Sequence, residues 1–195
     1  MIILGIMVSF GAYGSPPMKH VATTKDGIHV RARIDQSLGQ GETLAKGRID
    51  APVDKVWATL VALDQYKDYM PYMRQTRVVK RSAQHIWQYC RTDTPVVSDR
   101  DYTLRFTLTK GDQSKPWMIH FTQDNAAGPA LIPGVVRLSV VTGSWELKPI
   151  KGGRATQATY RLKTNPGGSV PLWLAHLGNK RAIPDILRAV RKRLR

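Results

Sequence analysis

Across residues 76–163 apolar side chains recur with a period of two, in seven runs, and after Pro171 the period becomes that of a helix. A period of two places alternate side chains on opposite faces of a strand, and a period of 3.6 places them on one stripe of a helix. The runs are 76–82, 85–91, 102–109, 117–123, 135–142, 144–149 and 155–163. Turn chemistry separates several of them, at Lys110-Gly111-Asp112, Ala127-Gly128-Pro129 and Lys151-Gly152-Gly153. Strands joined by connections this short pair antiparallel, so the chain must build a meander.

The flanks complete the pattern. Residues 27–34 and 42–50 predict two earlier strands. Ala51-Pro52-Val53-Asp54 starts a helix with Val53, Val56, Trp57, Leu60 and Val61 on one face. Residues 63–73, rich in tyrosine and methionine, predict a short helix or loop ending at Pro71. Asn165-Pro166-Gly167-Gly168 closes the sheet, and Pro171 opens a long helix that Pro184 should kink or divide. In that helix Ile183, Ile186, Leu187, Val190 and Leu194 share a face. Sheet and helix each have one apolar face to bury, which predicts an α+β domain: a curved antiparallel sheet gripping a C-terminal helix. The five tryptophans fall 30, 30, 28 and 28 residues apart, but their flanks share nothing else, so there is no repeat.

With 195 residues, 42% of them hydrophobic, the chain has material for one domain with a true core, which excludes disorder, collagen and a disulfide-stapled miniature. The single cysteine, Cys90, makes no internal disulfide. Thirty Lys and Arg against fourteen Asp and Glu leave a charge of +16, which favours anionic surfaces or a solvated basic shell. Nucleic acid is disfavoured as a partner, because no helix-turn-helix, zinc-finger or RNA-binding signature accompanies the charge. Residues 2–13 form an uncharged apolar run, too short to span a bilayer but suited to a secretory signal, with Ala12-Tyr13-Gly14 as the cleavage motif. The expected organisation is a signal peptide at 1–14, a linker at 15–24 and a domain at 25–195, exported to a periplasmic or extracellular compartment.

Reactive constellations are scarce in the sequence. The five histidines form no metal-ligand pair, and no nucleophile elbow, phosphate loop or dinucleotide fingerprint is present, so no metal or cofactor is expected. Cys90 reads as a small buried residue on a sheet. His176 is the histidine expected nearest the interior. Asp99, Arg100 and Asp101 precede the strand that carries Tyr102, Leu104 and Phe106, and the expectation is an ion pair of Arg100 with its neighbours that fixes the turn into the sheet. The competing reading gives Arg100 a ligand to hold, since a guanidinium suits bidentate oxyanion geometry.

Four segments in order carry a resemblance: Thr94-Pro95-Val96-Val97-Ser98-Asp99-Arg100-Asp101-Tyr102; Gly134-Val135-Val136-Arg137; Gly143-Ser144-Trp145-Glu146-Leu147-Lys148-Pro149; and Asn165-Pro166-Gly167-Gly168-Ser169-Val170-Pro171-Leu172-Trp173-Leu174. From about Lys25 to the end the chain resembles a START-related lipid-transfer domain of the helix-grip superfamily. It departs from that family at Asn165, where an aspartate is usual, and at Phe106, near which sterol-carrying relatives place a buried arginine. The resemblance implies a cavity between sheet and helix, lined by Tyr102, Leu104, Phe106, Leu138, Val140, Tyr160 and Leu162 from the sheet and by Trp173, His176 and Leu177 from the helix. Its mouth is expected at Tyr69, Met70 and Met73 and at residues 126–133, where Leu131 and Ile132 sit on a glycine-proline loop near Lys67, Arg74 and Arg77. Apolar loop residues beside cations are what transient contact with an anionic membrane requires.

The expected function is therefore binding and transfer of a lipid or similar hydrophobic molecule, without enzymatic activity. The alternative is an enzyme of the same superfamily, a polyketide cyclase or dehydratase, which would need an inward acid or base.

Overall fold

The computed structural model describes residues 16–93, 98–112, 114–167 and 172–195, with side chains of the last segment from residue 182 onward. Among these residues ten strands form one sheet: β1 (Lys19–Thr23), β2 (His29–Asp35), β3 (Gln40–Ile49), β4 (Met73–Arg81), β5 (His85–Thr92), β6 (Arg100–Thr109), β7 (Trp117–Gln123), β8 (Val136–Arg137), β9 (Val141–Ile150) and β10 (Ala155–Thr164). The helices are α1 (Val53–Val61), α2 (Tyr66–Tyr69) and α3 (Leu172–Arg193). Strand order is β1-β2-β3-β10-β9-β7-β6-β5-β4, antiparallel throughout, except that β8 lies parallel to the start of β6. This is the α+β helix-grip fold that the hydrophobic periods predict.

Alternation sorts the sheet into two faces. Val30 of β2, Ala45 and Ile49 of β3, Leu104 and Phe106 of β6, Ile119 and Phe121 of β7, Trp145 and Leu147 of β9, and Ala158 and Tyr160 of β10 join one core with Ile183, Leu187 and Val190 of α3. The helix approaches β3 where Gly47 leaves room; a Cβ there would lie 3.1 Å from Leu187 and 3.2 Å from Ile28. α1 closes the lower end, burying Val56, Trp57 and Leu60, with Trp57 edge-on to Trp117 at 5.3 Å between ring centres. Asp26, in the β1–β2 turn, takes Arg188 bidentately at 3.0 and 2.8 Å and Arg191 at 2.9 Å, which clamps the C-terminal half of α3 to the sheet.

Four sequence expectations change. Residues 19–23, read as linker, form an edge strand whose outer position lets a polar sequence pair with β2. The run 135–142 is not one strand: it breaks at Ser139, so Val136–Arg137 pairs with β6 while Val141 begins β9. α3 continues through Pro184 instead of dividing there. Asp99-Arg100-Asp101 is not an internal ion pair, because successive strand residues face opposite ways. Asp99 binds Arg91 at 2.6 Å and Arg74 at 3.1 Å, and Asp101 binds Arg137, all on the outer face. The expected signal peptide lies outside the described residues.

Candidate functional site: the concave face beneath α3

An aromatic strip runs across the middle of the concave face. Phe106 stands 5.7 Å from Phe121, Phe121 lies near-parallel to Tyr160 at 6.1 Å, and Tyr160 meets Trp145 at 4.6 Å. Phe121 and Tyr160 sit on strands separated by β9, so the contact needs β9 to present no side chain between them. Gly143 provides the gap: a Cβ there would fall 2.5 Å from the Phe121 ring and 2.1 Å from the Arg161 carbonyl. Sequence reasoning missed this residue, because a glycine inside a strand signals a close approach without saying of what.

Of the predicted lining residues, Leu104, Phe106, Leu138 and Tyr160 are buried in the core, and Tyr102 and Leu162 pack half-buried against it. Val140 does not join them; the break at Ser139 shifts the register by one and puts Val141 in the core instead. Trp173, His176 and Leu177 lie in the first half of α3, whose side chains are outside the described residues. On β5 and β4 the concave face turns more polar, with Thr92, Cys90, Gln88 and Thr76. Gln88 is fully buried; its amide donates to the Leu63 carbonyl at 2.7 Å and to the Thr76 hydroxyl at 2.5 Å, and its oxygen has no partner among the described residues.

Burial pushes the Cys90 thiol up to about 12, so it is a neutral group rather than a nucleophile at pH 7. The phenols of Tyr102 and Tyr160 are likewise raised by burial. Among the described residues no strand aims a His, Asp or Glu at this face; the carboxylates of β3, β6 and β9, and His85 and His120, stand on the outer one. Arg100 is the exception in charge. It shares the concave parity of Tyr102 and Leu104, is 7% exposed, and donates to the Ser98 carbonyl.

The mouth residues divide. Met70 is buried in the core, so it is not a surface contact, and Tyr69 packs half-buried against it with its hydroxyl donating to Thr59 O at 3.0 Å and Arg193 over its ring at 5.7 Å. Met73 is half-buried, and Tyr72 is the exposed aromatic, held at φ 61°, a left-handed conformation that a bulky residue rarely adopts. Residues 126–133 do reach solvent, with Leu131 73% exposed and Ile132 half-buried. The loop's base is fixed where β7 leaves β6. Asn125 takes the Thr103 amide at 2.9 Å and donates to Leu138 O at 2.8 Å, while Asp124 accepts from the Trp87 indole at 2.8 Å. Asn165 keeps the turn that an aspartate would make, since its side-chain oxygen still accepts from the Gly167 amide at 2.9 Å.

This curved sheet, its long helix and its apolar inner face define a START-like domain. Residues 49–191 match the family described as polyketide cyclase / dehydrase and lipid transport, and the chain belongs to that family. It is 29% identical over 184 residues to an uncharacterized protein of Pseudomonas aeruginosa, covering 90% of this chain and 87% of that one. Among solved structures it resembles a STAR-related lipid transfer protein of Xanthomonas axonopodis, with a TM-score of 0.80 and 25% identity over 91% of this chain and 98% of the other. Human STARD10 shares the fold, with a TM-score of 0.78 and 15% identity over 91% of this chain and 72% of its own.

Proposed function

We propose that this domain is a carrier. It takes a lipid or similar apolar molecule onto the concave face beneath α3 and exchanges it at an anionic membrane through the mouth formed by residues 126–133. The observation that carries this reading is the chemistry of the concave face. Among the described residues aromatic and aliphatic groups dominate it, with hydroxyls, one amide and one guanidinium at its polar side, as an apolar ligand with few polar contacts requires. The family also includes cyclases and dehydrases, whose proton transfers need an acid or base that changes state near neutral pH. The described strands offer two phenols and a thiol, all raised by burial, so the carrier reading is preferred. The exposed Leu131 on a pinned loop and the charge of +16 support docking at a membrane. The apolar run at 2–13 supports export, which the mass of the mature chain from its host would test.

The functional experiment is transfer of a fluorescent phospholipid between donor and acceptor vesicles. A carrier raises the transfer rate in proportion to its concentration, and more for anionic than for neutral vesicles. A rate equal to the spontaneous one for every lipid tried, alongside turnover of a polyketide chain, would establish the enzyme instead.

A further inference from the structure

Arg100 is a buried cation without a counter-charge. Arg100 is 7% exposed as a residue, yet no carboxylate approaches its guanidinium within ion-pair distance among the described residues. The segments outside the described residues contain no aspartate or glutamate, so every acidic side chain of the chain is accounted for. The two nearest in sequence, Asp99 and Asp101, turn to the opposite face and are taken by Arg91, Arg74 and Arg137. A buried charge left unpaired costs several kcal/mol, so a fold that keeps one has a use for it or fills it from outside. Its place is specific: at the mouth end of β6, opposite Thr92 and Val136 and two residues before Tyr102, where the polar side of the concave face begins.

Building on the carrier reading, we propose that Arg100 receives the head of the ligand, and that the ligand is an anionic amphiphile whose carboxylate or phosphate meets the guanidinium while its tail lies along the aromatic strip. A planar guanidinium pairs two N–H groups with two oxygens of such a head, while the Thr92 hydroxyl, facing Arg100 across the ladder, donates to the Arg100 carbonyl at 3.4 Å and fixes the strand that carries it. The arrangement selects against neutral amphiphiles of the same length, because they leave the cation unmatched.

The test is competition against a neutral solvatochromic dye by palmitate and by hexadecanol, which share a tail and differ in head, at a pH where the acid is ionised. The wild-type protein is expected to bind palmitate about tenfold or more tighter than hexadecanol, as charge-assisted hydrogen bonds imply. Arg100→Gln should bring palmitate to the level of hexadecanol and leave hexadecanol unchanged, while Arg100→Lys keeps part of the preference. Phosphatidate should compete and inorganic phosphate alone should not, since the tail is needed. Equal binding of acid and alcohol by the wild type, or competition by millimolar phosphate as strong as by phosphatidate, overturns the anchor while leaving the carrier reading standing. Binding of neither amphiphile overturns both. If Arg100→Gln does not fold, the wild-type ratio and Arg100→Lys decide the matter.

Discussion

Arg137 grips Asp101 with two hydrogen bonds, Nε to Oδ1 at 2.6 Å and Nη2 to Oδ2 at 2.9 Å, and its Nη2 also reaches the carbonyls of Pro129 and Ala130 at 3.2 Å. The pair therefore ties the mouth loop to the sheet. Asp101 is 1% exposed in its side chain and also accepts from the Tyr89 hydroxyl at 3.1 Å.

Removing one partner leaves the other charge buried, so Arg137→Met should cost about 3 kcal/mol in denaturant unfolding. Hydrogen exchange should accelerate across residues 126–135 before it does in β9 or β10. Unchanged exchange in the loop would mean that Asn125 alone holds it.

Arg188 holds the Asp26 carboxyl well below the usual carboxylate range. A carboxyl whose folded pKa is depressed stabilises above its unfolded value, near 3.8, and that stability is lost as pH falls below it. Asp26→Asn should lower stability at neutral pH by roughly 1 kcal/mol, because the pair is well exposed to solvent, and should flatten the stability curve below about pH 4. Parallel wild-type and variant curves in acid would contradict the clamp.

Gly143→Ala should destabilise by about 2 to 3 kcal/mol through overpacking, since the added methyl meets both the Phe121 ring and a backbone carbonyl. Displacing Phe121 also breaks the contact with Tyr160, so dye binding on the concave face should weaken with it. A variant as stable as the wild type would show that β9 has room to shift.

Leu131→Asp should reduce sedimentation with anionic vesicles about tenfold while changing folding stability by no more than about 0.5 kcal/mol, because an exposed side chain contributes little to the core. Salt should weaken wild-type binding, as each cation near the surface contributes about 1 kcal/mol of attraction that shortens in range as salt shortens the Debye length. Vesicle binding indifferent to both changes would remove the loop from the docking surface.

Periodicity read well where a strand or helix is long and one-sided. Residues 117–123 alternate cleanly and form β7, and Ile183, Leu187 and Val190 face the core at the spacing the sequence shows. It failed where local pattern is short or partners are distant. α2 has four residues, too few for a face to show, so Tyr69 and Met70 read as surface when Met70 is core and Tyr69 packs half-buried against it. The break around Ser139 is only three residues wide and moves a face from Val140 to Val141. Asp99 and Asp101 find partners on β4, β5 and β8, and only the pairing of those strands shows that Arg100 is left facing inward.

The central claim is that one apolar molecule occupies the concave face. Native mass spectrometry of the protein purified from its host under gentle conditions, with organic extraction of whatever is bound, tests this most directly. The account predicts a single-ligand adduct whose extract is an amphiphile with an anionic head, lost on replacement of Phe106 by Asp in a variant that still folds. A protein that emerges bare, and stays bare after incubation with lipid extract from the same cells, would contradict it.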